Sequence, residues 1–242
     1  MSAESPAVSF VIPAWRDAEN LSTLLPRLST LSGRVEIIVV DVPVEGRPPC
    51  RPNDFINGPA STKVRIVCVP RPNRGEQMNL GASLAAGDVL IFQHADTEFS
   101  ELHLQAIETA LSDTAVVGGA FHRKFDDRHP RLRWLERVAR WRGHHGGTLF
   151  GDQTIFVRRE VFMQLRGFAP IPLMEDVEFS KRLRRAGKIA LLDPPVRSSA
   201  RHHQRKGAWR TSIQNGLFLL FFKAGVSPIT LHRWYYGANE PA

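Results

Sequence analysis

Four short apolar runs alternate with helical patterns through roughly the first 100 residues, and this alternation constrains the fold more than any other feature of the chain. Residues 8–12, 35–40, 64–69 and 89–92 each read as a buried strand. Pro13 ends the first, and Asp41 ends the second. Leu21, Leu24, Leu25, Leu28 and Leu31 recur at helical spacing, with Gly33 as the stop. Pro26 interrupts that pattern and marks either a kink or a late start. Residues 42–62 are rich in Pro, Gly and Asn and read as a loop with at most one irregular helix. A small-residue helix over 76–86 follows, stopped by Gly87. The order strand–helix–strand–loop–strand–helix–strand argues an α/β fold with a mostly parallel sheet and right-handed crossovers.

The second half continues the pattern with more polar punctuation. Ser100 caps a helix that carries Leu104, Ile107 and Leu111 on one face. A strand is expected over 116–121, then an arginine-rich amphipathic helix over 130–142. Trp134 and Trp141 lie near its apolar side. His144 and His145 sit in a turn over 143–147. A short strand at 155–157, a helix at 160–165 stopped by Gly167, a helix at 175–186 stopped by Gly187, and a strand at 188–192 follow. Residues 201–207 form a basic loop. An apolar helix spans 209–222, with Gly225 as its stop and Pro228 beyond. No linker divides the chain, so the expectation is one domain over 1–242. Residues up to about 100 look like a nucleotide-binding half, and 101–242 like its completion, with a C-terminal helical extension.

The formal net charge of +8 favours an anionic partner: nucleotide phosphates, nucleic acid or an anionic membrane surface. The basic residues are dispersed and match no nucleic-acid motif, which places nucleic acid last. Residues 1–7 lack the positive start and apolar core of a secretory signal. No stretch reaches the 18 or so apolar residues of a membrane span. The chain contains only two cysteines, Cys50 and Cys68. That usage suits a reducing, cytoplasmic compartment, with Cys68 expected in the core.

The carboxyl ends of parallel strands are where such sheets place ligands. Asp41, Arg74 and Asp96 fall there. An Asp accepting from a base or ribose, an Arg donating to phosphate and an Asp binding a cation would make a nucleotide site. Asp96 and Thr97 could equally form only a turn before Ser100. Glu175 and Asp176 open a helix, where the macrodipole favours negative charge. One of them, desolvated in a cleft, could instead act as a general base. The basic loop is either a solvated charge run or a lid on pyrophosphate whose histidines could reach a metal. The apolar helix packs into the core or a dimer interface, or else rests, with the arginine-rich helix over 130–142, on an anionic membrane.

The residues Ser9-Phe-Val-Ile-Pro13, Glu19-Asn20, Val39-Val40-Asp41, Arg74-Gly75-Glu-Gln77-Met-Asn79-Leu-Gly81-Ala82, His94-Ala95-Asp96-Thr97, Gly151-Asp152-Gln153, Gly167-Phe168 and Glu175-Asp176 occur in an order that resembles a family 2 glycosyltransferase with a GT-A fold. The likeness is to the soluble bacterial subgroup associated with radical-SAM and selenodomain genes. The resemblance implies a nucleotide-sugar donor, usually UDP-linked, and a hydroxyl acceptor. Pro13, Asp41, Arg74 and Asp96 would hold the nucleotide, and Asp152 and Gln153 would line the acceptor side. A divalent ion, Mn²⁺ or Mg²⁺, would sit at Asp96, with His202 as a further ligand. Asp176, beside Glu175, matches the catalytic base of inverting members. His94 departs from the pattern, standing where the family commonly has an acid.

Overall fold

A computed structural model describes residues 7–44, 50–56, 63–125, 147–198 and 208–237, the side chains of 125 and 208–213 excepted. The expected helix over 130–142 with Trp134 and Trp141, the histidines 144 and 145, and the loop over 201–207 with His202 and His203 lie outside the described residues, as does the Trp209 side chain.

Seven strands form one sheet: β1 (Val8–Trp15), β2 (Val35–Val42), β3 (Val64–Cys68), β4 (Val89–Phe92), β5 (Val116–Phe125), β6 (Ile155–Arg158) and β7 (Lys188–Ser198). Their order is β3-β2-β1-β4-β6-β5-β7. Among these, β6 alone runs antiparallel to its neighbours; the other pairs are parallel. The described helices are α1 (Ala18–Ser29), α2 (Arg74–Leu84), α3 (Glu101–Leu111), α4 (Arg159–Gln164), α5 (Glu175–Ala186), α6 (Ala208–Lys223) and α7 (Pro228–Tyr236).

The alternation of side chains along each strand divides the core into two layers. Phe10 and Ile12 of β1 and Ile37 and Val39 of β2 face the layer holding Leu21, Leu25 and Leu28 of α1 and Ile107 of α3. Val11, Ile38, Val40, Leu90 and Phe92 face the other, against Met78 and Ala82 of α2 and Phe179 and Leu183 of α5. There Phe92, Phe162, Phe168 and Phe179 pack ring on ring, with Phe168 and Phe179 centroids 4.6 Å apart. Each such buried ring contributes about 1.5–3 kcal/mol. This aromatic layer is the floor on which the start of α5 rests.

The structure corrects several boundaries. Pro13 does not end β1. It pairs with Val40 on the β2 side, while the β4 ladder has already ended at Val11 and Phe92, so its missing N–H costs no ladder bond. Pro26 marks no late start, because α1 runs through it from Ala18. Gly87 is not a helix stop; α2 ends at Leu84, and Ala85 is already extended. Gly87 is small because its position touches β1: a Cβ there would lie 2.6 Å from Ser9 Oγ. Cys68 is exposed, because β3 is the sheet edge and one side of it faces solvent. Beyond Gly225, Pro228 starts a further helix that the sequence reading does not include, α7, in the first-turn position where its missing N–H is harmless.

Candidate active site

The strand order reverses between β1 and β4: the chain leaves β1 toward β2 on one side, and β4 returns on the other. A crevice opens at the carboxyl ends of strands at such a switch point. Here it is a cleft of about 240 Å³, walled by Pro13 and Trp15 of β1, Arg74 of α2, Glu175 of α5, and His232 and Tyr236 of α7.

Two polar side chains of the α2 segment brace this cleft. Gln77 is buried, and its amide donates to the carbonyls of Ala14 (3.0 Å) and Val40 (2.8 Å), tying the ends of β1 and β2 together. Asn79 both donates to the Phe168 carbonyl (2.9 Å) and accepts from its N–H (2.8 Å). These bonds place the segment that leads into α5. Asn73 caps α2 by accepting from the Glu76 N–H at 3.1 Å, which makes Arg74 the first helical residue.

Helix α5 begins without a side-chain cap, at Met174, whose backbone is left-handed at φ 69°. Arg16 (φ 61°), following β1, and Thr154 (φ 53°), following the 3-10 turn Gly151–Gln153, share that uncommon geometry. Left-handed non-glycine residues cost free energy and gather where function over-determines the backbone. Three of the four among the described residues flank this region.

Glu175 is buried at 4% exposure, and its Oε1 lies 3.7 Å from Arg74 Nη1. Burial first, then the neighbouring Asp176, pushes its carboxyl up to about 7, against the pull of Arg74. Asp176 is half-buried. Its Oδ2 accepts from Gly151 N–H at 2.7 Å and its Oδ1 from Val177 N–H at 2.7 Å. Burial raises its carboxyl as well, and the two backbone donors and Arg74 partly offset that rise. A Cβ on Gly151 would lie 2.8 Å from His94 Nε2 and 3.5 Å from Asp176 Oδ2, so Gly151, His94 and Asp176 converge on one point. Burial, then Arg74 and Arg123, lowers the His94 imidazole to about 3, so it is neutral there; its Nε2 is buried without a hydrogen-bond partner.

The remaining expected residues are distributed around this centre. Asp41 is buried at the end of β2, opposite Ala14. Burial raises its carboxyl, and the Cys50 thiol that donates to it pulls it back. Asp96 is open to solvent in the loop after β4; crowding by protein atoms and then the charge of Asp17 raise its carboxyl. Asp152 pairs with Arg123, and Gln153 is buried with its Oε1 accepting from Phe150 N–H at 2.9 Å. Gln153 therefore uses its carbonyl to close its own turn.

Residues missed in the sequence complete the cleft. Asp17 accepts from Asn20 (2.9 Å) and Trp15 N–H (3.3 Å) and bears electrostatically on both Asp41 and Asp96. It follows a strand end as Asp96 does, and that shared placement was the available signal. His232 and Tyr236 had no local signal, because only the fold brings α7 back to the cleft.

Among the described residues, no three His, Cys, Asp or Glu side chains converge as a metal site. His94 points its buried Nε2 at the Gly151 turn, leaving Asp96 as the open carboxylate of that motif. One carboxylate fits an ion held jointly with substrate phosphates, the usual habit of Mg²⁺.

A mostly parallel sheet with a cleft at its switch point, an arginine at a helix start and paired acids opposite it defines an α/β protein of the doubly wound kind. The family model described as "Glycosyl transferase family 2" matches residues 9–166, and the chain belongs to that family. A comparison with curated proteins gives no match. Among solved structures, the mannosyltransferase PcManGT from Pyrobaculum calidifontis, in complex with GDP-Man and Mn²⁺, is 18% identical with a TM-score of 0.64, covering 97% of this chain and 70% of that one. S. aureus TarS 1–349 in complex with UDP is 13% identical with a TM-score of 0.62, covering 80% of this chain. The match spans 60% of the TarS 1–349 chain. A mycobacterial protein is 20% identical with a TM-score of 0.54, covering 80% of this chain and 65% of that one. These likenesses establish a shared α/β, GT-A fold.

Proposed function

We propose that the protein is an inverting glycosyltransferase that moves a sugar from a UDP-linked donor to an acceptor hydroxyl. The observation that carries this reading is Asp176. It is half-buried, fixed by two backbone N–H donors, and stands beside Glu175 and Arg74 at the carboxyl edge of the sheet. Related folds with UDP, UDP-GlcNAc and GDP-Man bound support the donor class. The ordered motifs favour the bacterial radical-SAM-associated subgroup.

In this reading Pro13, Trp15 and Asp41 bound the nucleoside, and Arg74 exchanges its contact with Glu175 for the donor's diphosphate. Asp176 takes the acceptor's hydroxyl proton; each of its oxygens keeps a lone pair beyond the one its backbone donor uses. The freed oxygen bonds to the anomeric carbon as that carbon's bond to the diphosphate oxygen breaks, inverting the centre. Holding both substrates in line supplies much of the acceleration. Asp96 would hold Mn²⁺ or Mg²⁺ together with the donor phosphates, and such an ion, when bound, offsets charge on the departing diphosphate. Asp152, held by Arg123, borders the acceptor side, with Gln153 closing the turn beneath it. The free thiols of Cys50 and Cys68 favour a cytoplasmic setting, and the acceptor is read as lipid-linked and met at a membrane surface.

A second reading, binding of a nucleotide sugar without transfer, is favoured by His94 in place of an acid. A thermal-shift panel separates donor classes. UDP at 100-fold above its Kd is expected to raise Tm by about 5–10 °C, further with Mn²⁺ or Mg²⁺. No shift with any nucleotide would overturn both readings. A metal-enlarged UDP shift with no UDP release from any UDP-sugar would favour the second.

A further inference from the structure

Eight large apolar side chains are exposed among the described residues, and six of them lie on α6 and α7: Leu217, Leu220, Phe221, Ile229, Trp234 and Tyr236. The other two, Leu102 and Met163, sit singly elsewhere, which is ordinary for a surface. Leu217, Leu220 and Phe221 of α6 and Ala224 just past its end are exposed and spaced i, i+3, i+4, i+7, so they form one stripe. Phe218 and Leu219 of the same helix are buried. The stripe continues onto α7, because the Phe221 ring meets Trp234 at 6.0 Å between centroids. Leu220 and Trp234 are 60% and 58% exposed, so nothing in the described fold covers them.

The charges around this face decide what covers it. Residues 208–237 contain no Asp or Glu, while Lys223 and Arg233 are exposed on the hairpin. An apolar stripe with an exposed Trp, a basic rim and no acid complements an anionic lipid surface. A second copy of this face would instead meet it with like charge. No described helix is long and apolar enough to cross a membrane, so the hairpin would lie in the interface rather than span it.

We propose that the outer face of the α6–α7 hairpin docks the protein on an anionic lipid bilayer. Tyr236 lies two residues past Trp234, on the opposite side of α7, so it leaves the outer stripe and lines the cleft with His232, their rings 4.9 Å apart. Docking therefore sets the cleft mouth beside the headgroups, where a lipid-linked hydroxyl could enter toward Asp176. That purpose rests on the transferase reading; the docking itself does not, and its test uses no donor.

The test is co-sedimentation of the full chain with vesicles. Protein is expected to pellet with phosphatidylglycerol–phosphatidylcholine vesicles, to stay in solution with phosphatidylcholine alone, and to be released by high salt. The double variant Leu220→Glu/Trp234→Glu is expected to partition about tenfold or more weakly. Lys223→Glu/Arg233→Glu, which leaves the apolar stripe intact, should lose about fivefold or more per charge. Leu102→Glu, equally exposed but on α3, should bind as the wild type does. Unchanged melting temperatures confirm that the variants fold. The proposal is overturned if the wild type stays in solution with anionic vesicles, or if both double variants bind undiminished. A solution dimer that Leu220→Glu/Trp234→Glu splits, without vesicle binding, would overturn it in favour of a second copy.

Discussion

The backbone N–H of Gly151 donates to Asp176 Oδ2 at 2.7 Å, joining the turn before β6 to the first turn of α5. With Val177 N–H on the other oxygen, the carboxylate is held from two sides. Fixing a reacting group in this way is worth more to a transfer reaction than a small change in its acidity.

Gly151→Ala puts a methyl 2.8 Å from His94 Nε2, a contact that must shift either the turn or the imidazole. Turnover at saturating donor is expected to fall about tenfold to hundredfold. Overpacking should destabilise by about 1–3 kcal/mol. Steady-state kinetics beside a thermal melt would check both, and wild-type turnover would disprove the coupling.

Glu175 binds its proton more tightly folded than unfolded, because burial raises its carboxyl from 4.5 to about 7. Its ionisation therefore costs stability as pH rises through that window, and none is lost below it. Glu175→Gln cannot ionise. Its melting temperature should match the wild type near pH 4.5 and exceed it above pH 7. The gain should be on the order of 1–3 kcal/mol. Melting both proteins across pH tests this, and a gap that does not change with pH would refute it.

Asn79→Ala removes both hydrogen bonds to the Phe168 backbone. Leaving that N–H and carbonyl unpaired should cost about 2–4 kcal/mol. In a chain of this size that lowers Tm by about 5–15 °C. A melt within a degree of wild type would show that water replaces the amide.

Asp96→Asn should keep the Tm rise caused by UDP alone and lose the added rise from Mn²⁺ or Mg²⁺. Calorimetric melts with each combination separate the two, and a retained metal increment would move the ion site elsewhere.

Legibility in the sequence followed punctuation. Strand β4 and helix α5 are found at their expected bounds, because an apolar run or a pair of acids began and ended abruptly there. Cys68 misled because an edge strand is apolar on one face only, and single-strand composition does not show which strand is the edge. Gly87 misled because a glycine chosen for close approach to Ser9 looks the same as one chosen to stop a helix. Asp41, Arg74, Asp96, Glu175 and Asp176 fall at or near the strand and helix ends that the apolar runs mark. The pairing of Asp152 with Arg123 and the return of His232 and Tyr236 to the cleft are long-range contacts that no local pattern encodes.

The most direct measurement is release of UDP from a UDP-sugar by wild type and Asp176→Asn, with donor binding followed separately by thermal shift. Asparagine keeps the size of the side chain but cannot take the acceptor proton. The variant is expected to bind donor as the wild type does and to lose turnover by a factor of about 10²–10⁴. Wild-type turnover in Asp176→Asn would contradict the account.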